Sequence, residues 1–161
     1  MFSEAMLSPA LTSAPIGGVV FSDSSIPRDT IQAYLETHYE VLGDAPAMLR
    51  PGQFNAALAA LHEARQVACS AFITACNPLS KSLDPATNVA RQETLARELD
   101  ALGFAYIEGV GQHPSNQWPG EASFLVLGMT LDTAKALAKK YEQNAIVWCG
   151  ADAVPQLILL R

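Results

Sequence analysis

Residues 70–103 read as a buried strand, a polar loop and a long helix in immediate succession, an order that calls for a sheet covered by helices. The strand, Ser70-Ala-Phe-Ile-Thr-Ala-Cys76, is apolar on both faces through Ala71, Phe72, Ile73 and Ala75. Asn77-Pro78 opens the loop. Asp84 is a good N-cap, Pro85 suits the first helical position and Gly103 suits a left-handed residue past the end, which predicts a helix over residues 84–102. At about 100° per residue, Leu95, Leu99 and Leu102 share one face of it. Followed backwards, that face meets Gln92, Arg91 and Asn88 instead of leucines. A buried arginine or asparagine without a partner costs several kcal/mol. The first half of the helix must therefore face polar groups, water or a ligand. In open α/β sheets this helix end lies beside the carboxyl end of the strand, where ligands usually bind.

The remaining segments extend the same pattern. Pro27 starts a helix with Ile31, Tyr34, Leu35 and His38 along one face. Residues 39–42 and 47–50 are short strands around the turn Gly43-Asp44-Ala45-Pro46. A helical stripe of Phe54, Ala57, Leu58 and Leu61 follows, and His62 falls off it toward solvent. After the central helix, residues 104–110 form a strand, residues 111–120 a long Gly- and Pro-marked loop, and residues 121–127 another strand. Thr130 caps a last helix whose buried face is Leu131, Ala134, Leu137, Ala138 and Tyr141. Strands over residues 145–148 and 157–160 close the chain, with Pro155 marking the final one as an edge. The whole predicts a single α/β or α+β domain over residues 26–161. It would hold a mixed β-sheet, about four packed helices and two strand–helix–strand units joined by parallel crossovers. Residues 1–25, rich in Ser, Ala and Pro, read as a flexible extension whose one apolar run, residues 16–21, is a candidate edge strand.

Composition narrows the partners. The 161 residues carry only ten Lys and Arg, dispersed, and a net charge of −6, which argues against a nucleic-acid backbone as ligand. Charged residues make up only 16%, a surface compatible with a homo-oligomer. Three cysteines, Cys69, Cys76 and Cys149, with no signal-peptide pattern, point to free thiols and a cytoplasmic location. No apolar run reaches the roughly 18 residues that would span a bilayer, so no membrane partner is expected.

The chain lacks the phosphate-loop, dinucleotide, nucleophile-elbow and Cys-x-x-Cys signatures, and its three histidines are scattered singly. Neither a metal nor a cofactor is expected. Cys76 ends a strand before a polar loop, but a small buried thiol is the plainer reading, with only His113 in a position to approach it. Arg91 and Glu121 are the more informative pair. Arg91 could grip an anion bidentately with Glu121 as acceptor or general base, or the two could form a structural ion pair that fixes helix to sheet. Ser123 shares the face of Glu121. Asn77 and Ser80 belong to the loop above the central strand, where turn formation is their ordinary role. Trp118 would be the aromatic wall of a lid over residues 111–120, or a cover for the core.

Four ordered motifs carry a resemblance. They are Phe72-Ile-Thr-Ala-Cys-Asn-Pro-Leu-Ser80, Asn88-x-x-Arg91, Trp118-Pro-Gly-Glu-Ala-Ser-Phe124 and Gln143-Asn-Ala-Ile-Val-Trp148. Over roughly residues 28–160 the chain resembles a family of small bacterial proteins known as domain of unknown function 3293. The resemblance groups Asn77, Ser80, Asn88, Arg91, Trp118, Glu121, Ser123 and Gln143, and implies no particular activity. An aromatic residue is common in the family where this chain has Cys76, which weakens a nucleophilic role for that thiol.

Two functions fit these residues. In the first, a small anionic metabolite or nucleotide binds over Asn77, Ser80 and Asn88, beside Arg91 and under Trp118. Glu121 then serves as the base if a reaction is catalysed. In the second, the domain is a non-enzymatic interaction or regulatory module. The polar cluster is then scaffolding, and the edge at residues 157–160 pairs with another chain.

Overall fold

The computed structural model describes residues 24–161. The candidate strand over residues 16–21 and nearly all of the expected extension lie outside them. The chain runs α1 (Arg28–Glu36), β1 (His38–Val41), β2 (Ala47–Leu49), α2 (Ala56–Arg65), β3 (Ser70–Ile73), α3 (Pro85–Leu102), β4 (Tyr106–Gln112), β5 (Glu121–Leu127), α4 (Leu131–Lys140), β6 (Ala145–Cys149) and β7 (Pro155–Leu159). Local signals account for the helix ends. The Asp84 carboxylate accepts from the Thr87 N–H, the Thr130 hydroxyl accepts from the Thr133 N–H, and Gly103 closes α3 at φ 82°. The first helix stops at Glu36, two residues earlier than expected. Thr37 turns extended, and His38 opens β1 instead of ending the helix.

All seven strands join one sheet in the order β2-β1-β4-β5-β3-β6-β7. Every neighbouring pair is antiparallel, which corrects the expected mixed sheet. The physical reason is interleaving. β3 and β4 do run parallel across the α3 crossover, but β5 lies between them. Likewise β5 and β6 run parallel across α4, with β3 between. Residues 70–149 therefore form the split β-α-β-β-α-β unit of ferredoxin-like folds, and the domain is α+β. The remaining strands extend this unit at both edges. The sheet curls until the Gly52 N–H reaches the Pro155 carbonyl (2.7 Å), so part of the β7 edge is already covered.

The sheet has a core on each face. Phe72, Leu125, Leu127 and Val147 pack with Ile31 of α1 and Leu58 and Leu61 of α2. Ala71, Ile73, Phe124, Val126 and Ile146 pack with Leu95 and Leu99 of α3 and Ala134 and Leu137 of α4. Helices on both faces explain why β3 and the inner end of β5 are apolar at successive positions. Gly111, expected in the loop, instead belongs to β4, which continues to Gln112.

His62 of α2, expected in solvent, is buried, with Nε2 2.8 Å from the Ser70 hydroxyl. Burial lowers its pKa from the ordinary 6.5. The unfolded chain thus takes up a proton at higher pH than the folded one. Stability is expected to fall as pH drops through and below about 6.5. Urea midpoints at pH 7.5 and 5.5 should diverge more for the wild type than for His62→Gln, which cannot titrate there.

Candidate functional site

On the α1 face of the sheet a cavity of about 370 Å³ opens between α1, the carboxyl end of β3, the start of β5 and the loop after β4. Its floor is apolar, with Phe72, Val147 and Leu157 among its residues. Its rim is polar and holds Asn77, Ser80, Trp118, Glu121, Ser123 and Gln143. Of the residues grouped from sequence, these six come together here. Asn88 and Arg91 do not line it.

Glu121 is the first residue of β5 and stands at the mouth of the sheet. Its Oε2 accepts from Asn77 Nδ2 (2.6 Å) and from the Trp118 indole N–H (3.2 Å). Its Oε1 has no hydrogen-bond partner among the described residues. Burial pushes its pKa above the usual carboxylate value, and the two donors only partly offset this. Asn77 is itself held from behind. Its side-chain oxygen accepts from Leu83 N–H and from Asn88 Nδ2, and its own N–H donates to Asn88 Oδ1. Asn88 thus acts through Asn77, from the N-terminal turn of α3.

The loop that presents these groups is strained. Asn77, Leu79 and Ser80 all have positive φ (47°, 55° and 58°). Asparagine tolerates this region, but the left-handed conformation costs a residue such as leucine on the order of 1 kcal/mol. Such strain persists where surroundings over-determine it, and functional sites are where it gathers. The loop is held by Leu79 N–H donating to the Glu142 carbonyl (2.7 Å) and by the Asn77–Asn88 pair. The result is a Ser80 hydroxyl in short contact with the Tyr34 hydroxyl of α1. Asn144 Nδ2 donates to both oxygens, at 3.1 and 3.2 Å. One hydroxyl proton serves the Tyr34–Ser80 contact, and the other has no acceptor among the described residues. Asn144 is buried and its Oδ1 is without a partner, a rare condition for a buried amide.

Arg91 is placed otherwise than expected. Its Nε donates to the Ala75 carbonyl and one terminal nitrogen to the Tyr141 carbonyl, both at 2.7 Å. It makes no ion pair with Glu121 and borders neither cavity. The guanidinium instead ties α3 to the end of β3 and to the C-terminus of α4. Gln143 joins the same junction, donating to the Cys76 and Tyr141 carbonyls. Cys76 is buried and its thiol is pushed up by that burial. His113 does not approach it. Its Nε2 lies 2.9 Å from Glu36 Oε1, and its Nδ1 accepts from the Ser115 and Asn116 N–H groups. This histidine organises the 113–118 turn that carries Trp118. Trp118 is 39% exposed, and its own N–H donates to Asn116 Oδ1.

On the opposite face, a second cleft of about 590 Å³ lies between α3 and β4–β5, bordered by Asn88, Gln92 and Tyr106 and again by Glu121. The Gln92 side-chain oxygen accepts from the Ala75 N–H at 2.9 Å.

A family model described as a protein of unknown function (DUF3293) matches residues 73–146. Over that span the chain is similar to this family. No curated protein and no solved structure matches the chain. The match is narrower than the resemblance over residues 28–160, and its limits are informative. The DUF3293 segment contains Asn77, Ser80, Asn88, Arg91, Trp118, Glu121, Ser123, Gln143 and Asn144. The Tyr34 and Tyr39 wall on α1 and β1 lies outside it.

Tyr34, Tyr39 and Asn144 are the site residues that sequence reasoning missed. Tyr34 was read only as part of an apolar stripe, although its phenol was the stripe's one hydroxyl. Asn144 enters the sequence analysis only as a member of the Gln143–Trp148 motif. Among the described residues no three His, Cys, Asp or Glu side chains cluster as a metal set, and no helix is long and apolar enough to cross a membrane.

Proposed function

We propose that this chain is a small-molecule-binding domain whose ligand occupies the cavity beneath Trp118. Glu121 is the anchoring acceptor and, where a reaction is catalysed, the general base. One observation carries this reading. A half-buried carboxylate that borders the cavity has one oxygen pinned by two donors and the other without a partner among the described residues. A structural carboxylate would ordinarily have both oxygens satisfied. A base needs the opposite, a free oxygen on a group of raised pKa held in a fixed orientation. The Tyr34–Ser80–Asn144 cluster supplies the second polar contact, and the apolar floor supplies contact area. Three cysteines without a disulfide suit a reducing, cytoplasmic setting.

Glu121→Gln tests the reading directly. The glutamine oxygen can keep both donors, and the charge is lost. In the wild type the folded pKa lies above the unfolded value of about 4.5. The buried group thus stabilises the fold most when protonated, and that contribution is lost as pH rises through the folded pKa. Glu121→Gln is therefore expected to raise the thermal midpoint at pH 7, and the gain should vanish near pH 4. A lower midpoint at pH 7 would identify Glu121 as a structural residue and remove the site.

A further inference from the structure

We infer that the ligand of this cavity presents a protonated amine, amidine or guanidine group to Glu121, and is not an anion. The inference rests on the proposed site and concerns its charge preference. The titratable groups that border the cavity are Asp29, Tyr34, Tyr39, His113 and Glu121. Among the described residues, no lysine or arginine lines it. Arg91, on which an anion would depend, has spent its guanidinium on the Ala75 and Tyr141 carbonyls. His113 is committed through Nε2 to Glu36 and through Nδ1 to two backbone N–H groups, so neither ring nitrogen is free to donate to an anion. The net charge of the whole chain, −6, adds to the same preference.

Glu121 then has an uncompensated charge. Among the described residues its partners are two neutral donors, both on Oε2. An isolated carboxylate in a partly buried site is costly unless a counter-charge arrives. A cationic N–H donor reaching Oε1 would supply that charge and complete the acceptor's coordination. An anion would meet Glu121 and Asp29 with no lysine or arginine among the described lining residues to offset them. The Trp118 indole and the Phe72 and Leu157 floor suit a flat or aliphatic body behind the cationic head.

An isosteric series separates charge from shape. Benzamidine, benzamide and benzoate differ mainly in the charge and donors of one planar group. They are titrated at pH 7 into the full-length ¹⁵N-labelled protein, with amide shifts followed by NMR. The expected result is shifts at cavity residues such as Gly111, Ser123 and Asn144. Benzamidine should bind roughly tenfold or more tightly than benzoate, the scale of one charge-assisted hydrogen bond. In Glu121→Gln the advantage of benzamidine over benzamide should disappear while benzamide binding persists. Benzoate binding as tightly as benzamidine, or a benzamidine preference that survives Glu121→Gln, overturns the charge class and leaves the site standing. Failure of all three fragments to perturb the cavity residues in the wild type overturns the site itself.

Discussion

Arg91→Ala is expected to destabilise the fold by about 3 kcal/mol, because two charge-assisted hydrogen bonds to backbone carbonyls are lost together. The two acceptors differ in what remains. The Tyr141 carbonyl keeps the Gln143 side-chain donor at 3.2 Å. The Ala75 carbonyl loses the side chain that reaches it at the end of β3. Tyr141 caps the C-terminus of α4, where the helix dipole favours a cation, so the arginine also loses a favourable electrostatic position. Arg91→Lys is expected to recover at most one of the two bonds, since an ammonium cannot reproduce the spread of a guanidinium. Urea denaturation monitored by tryptophan fluorescence measures the change. A ligand-gripping arginine would behave differently. Its replacement would leave the urea midpoint within about 0.5 kcal/mol and act on binding alone.

Gly109→Ala is expected to cost about 2–3 kcal/mol and to narrow the cavity. A Cβ at this position would stand 2.7 Å from the Glu40 carbonyl oxygen and 2.7 Å from Phe72 Cε2. The carbonyl belongs to the β1–β4 ladder and cannot move without breaking register. The phenyl ring lines the cavity, so its displacement is expected to change the cavity's shape. It also packs edge-on against Tyr39, with ring centroids 5.5 Å apart, so that contact would be disturbed too. Overpacking of this kind typically costs about 1–3 kcal/mol, and the backbone clash puts this case at the upper end. Thermal denaturation should show the loss. Benzamidine titration should show weaker binding in the fraction that still folds, because the displaced ring occupies ligand space.

Legibility in this chain follows the range of the interactions involved. The α3 boundaries were readable because Asp84, Pro85 and Gly103 act within a few residues of themselves. β5 was readable over residues 121–127 because a run of Phe, Leu and Val after a Pro-Gly turn admits little else. The polar first half of α3 was also read correctly as facing inward. Gln92 is buried, and Asn88 reaches Asn77. The partner of Arg91 was not readable. Backbone carbonyls accept hydrogen bonds as well as carboxylates do, but every residue carries one, so composition gives no hint of which will be used.

Pairing within the sheet was hidden for a related reason. A strand–helix–strand segment requires its two strands to run parallel, and both such segments here obey. Whether a third strand enters between them depends on contacts across dozens of residues, and no local periodicity records that choice. His62 shows the same limit on a smaller scale. Phe54 and Ala57, expected in the α2 stripe, are exposed, and the buried face of the helix is Leu58, Leu61 and His62, with the Ser70 hydroxyl of β3 against the imidazole.

Capping chemistry and apolar alternation along the chain were sufficient to specify the helices, most strands and a polar cluster near Asn77 and Glu121. Only the folded arrangement decided that Arg91 would fasten three elements together, that Tyr34 and Asn144 would join Ser80, and that Glu121 would take both its donors on one oxygen, among the described residues, beside a cavity that no described lysine or arginine lines. Helix caps and strand alternation are settled by neighbours in sequence. The charge balance of a cavity is settled by groups that meet only after the sheet has closed around it.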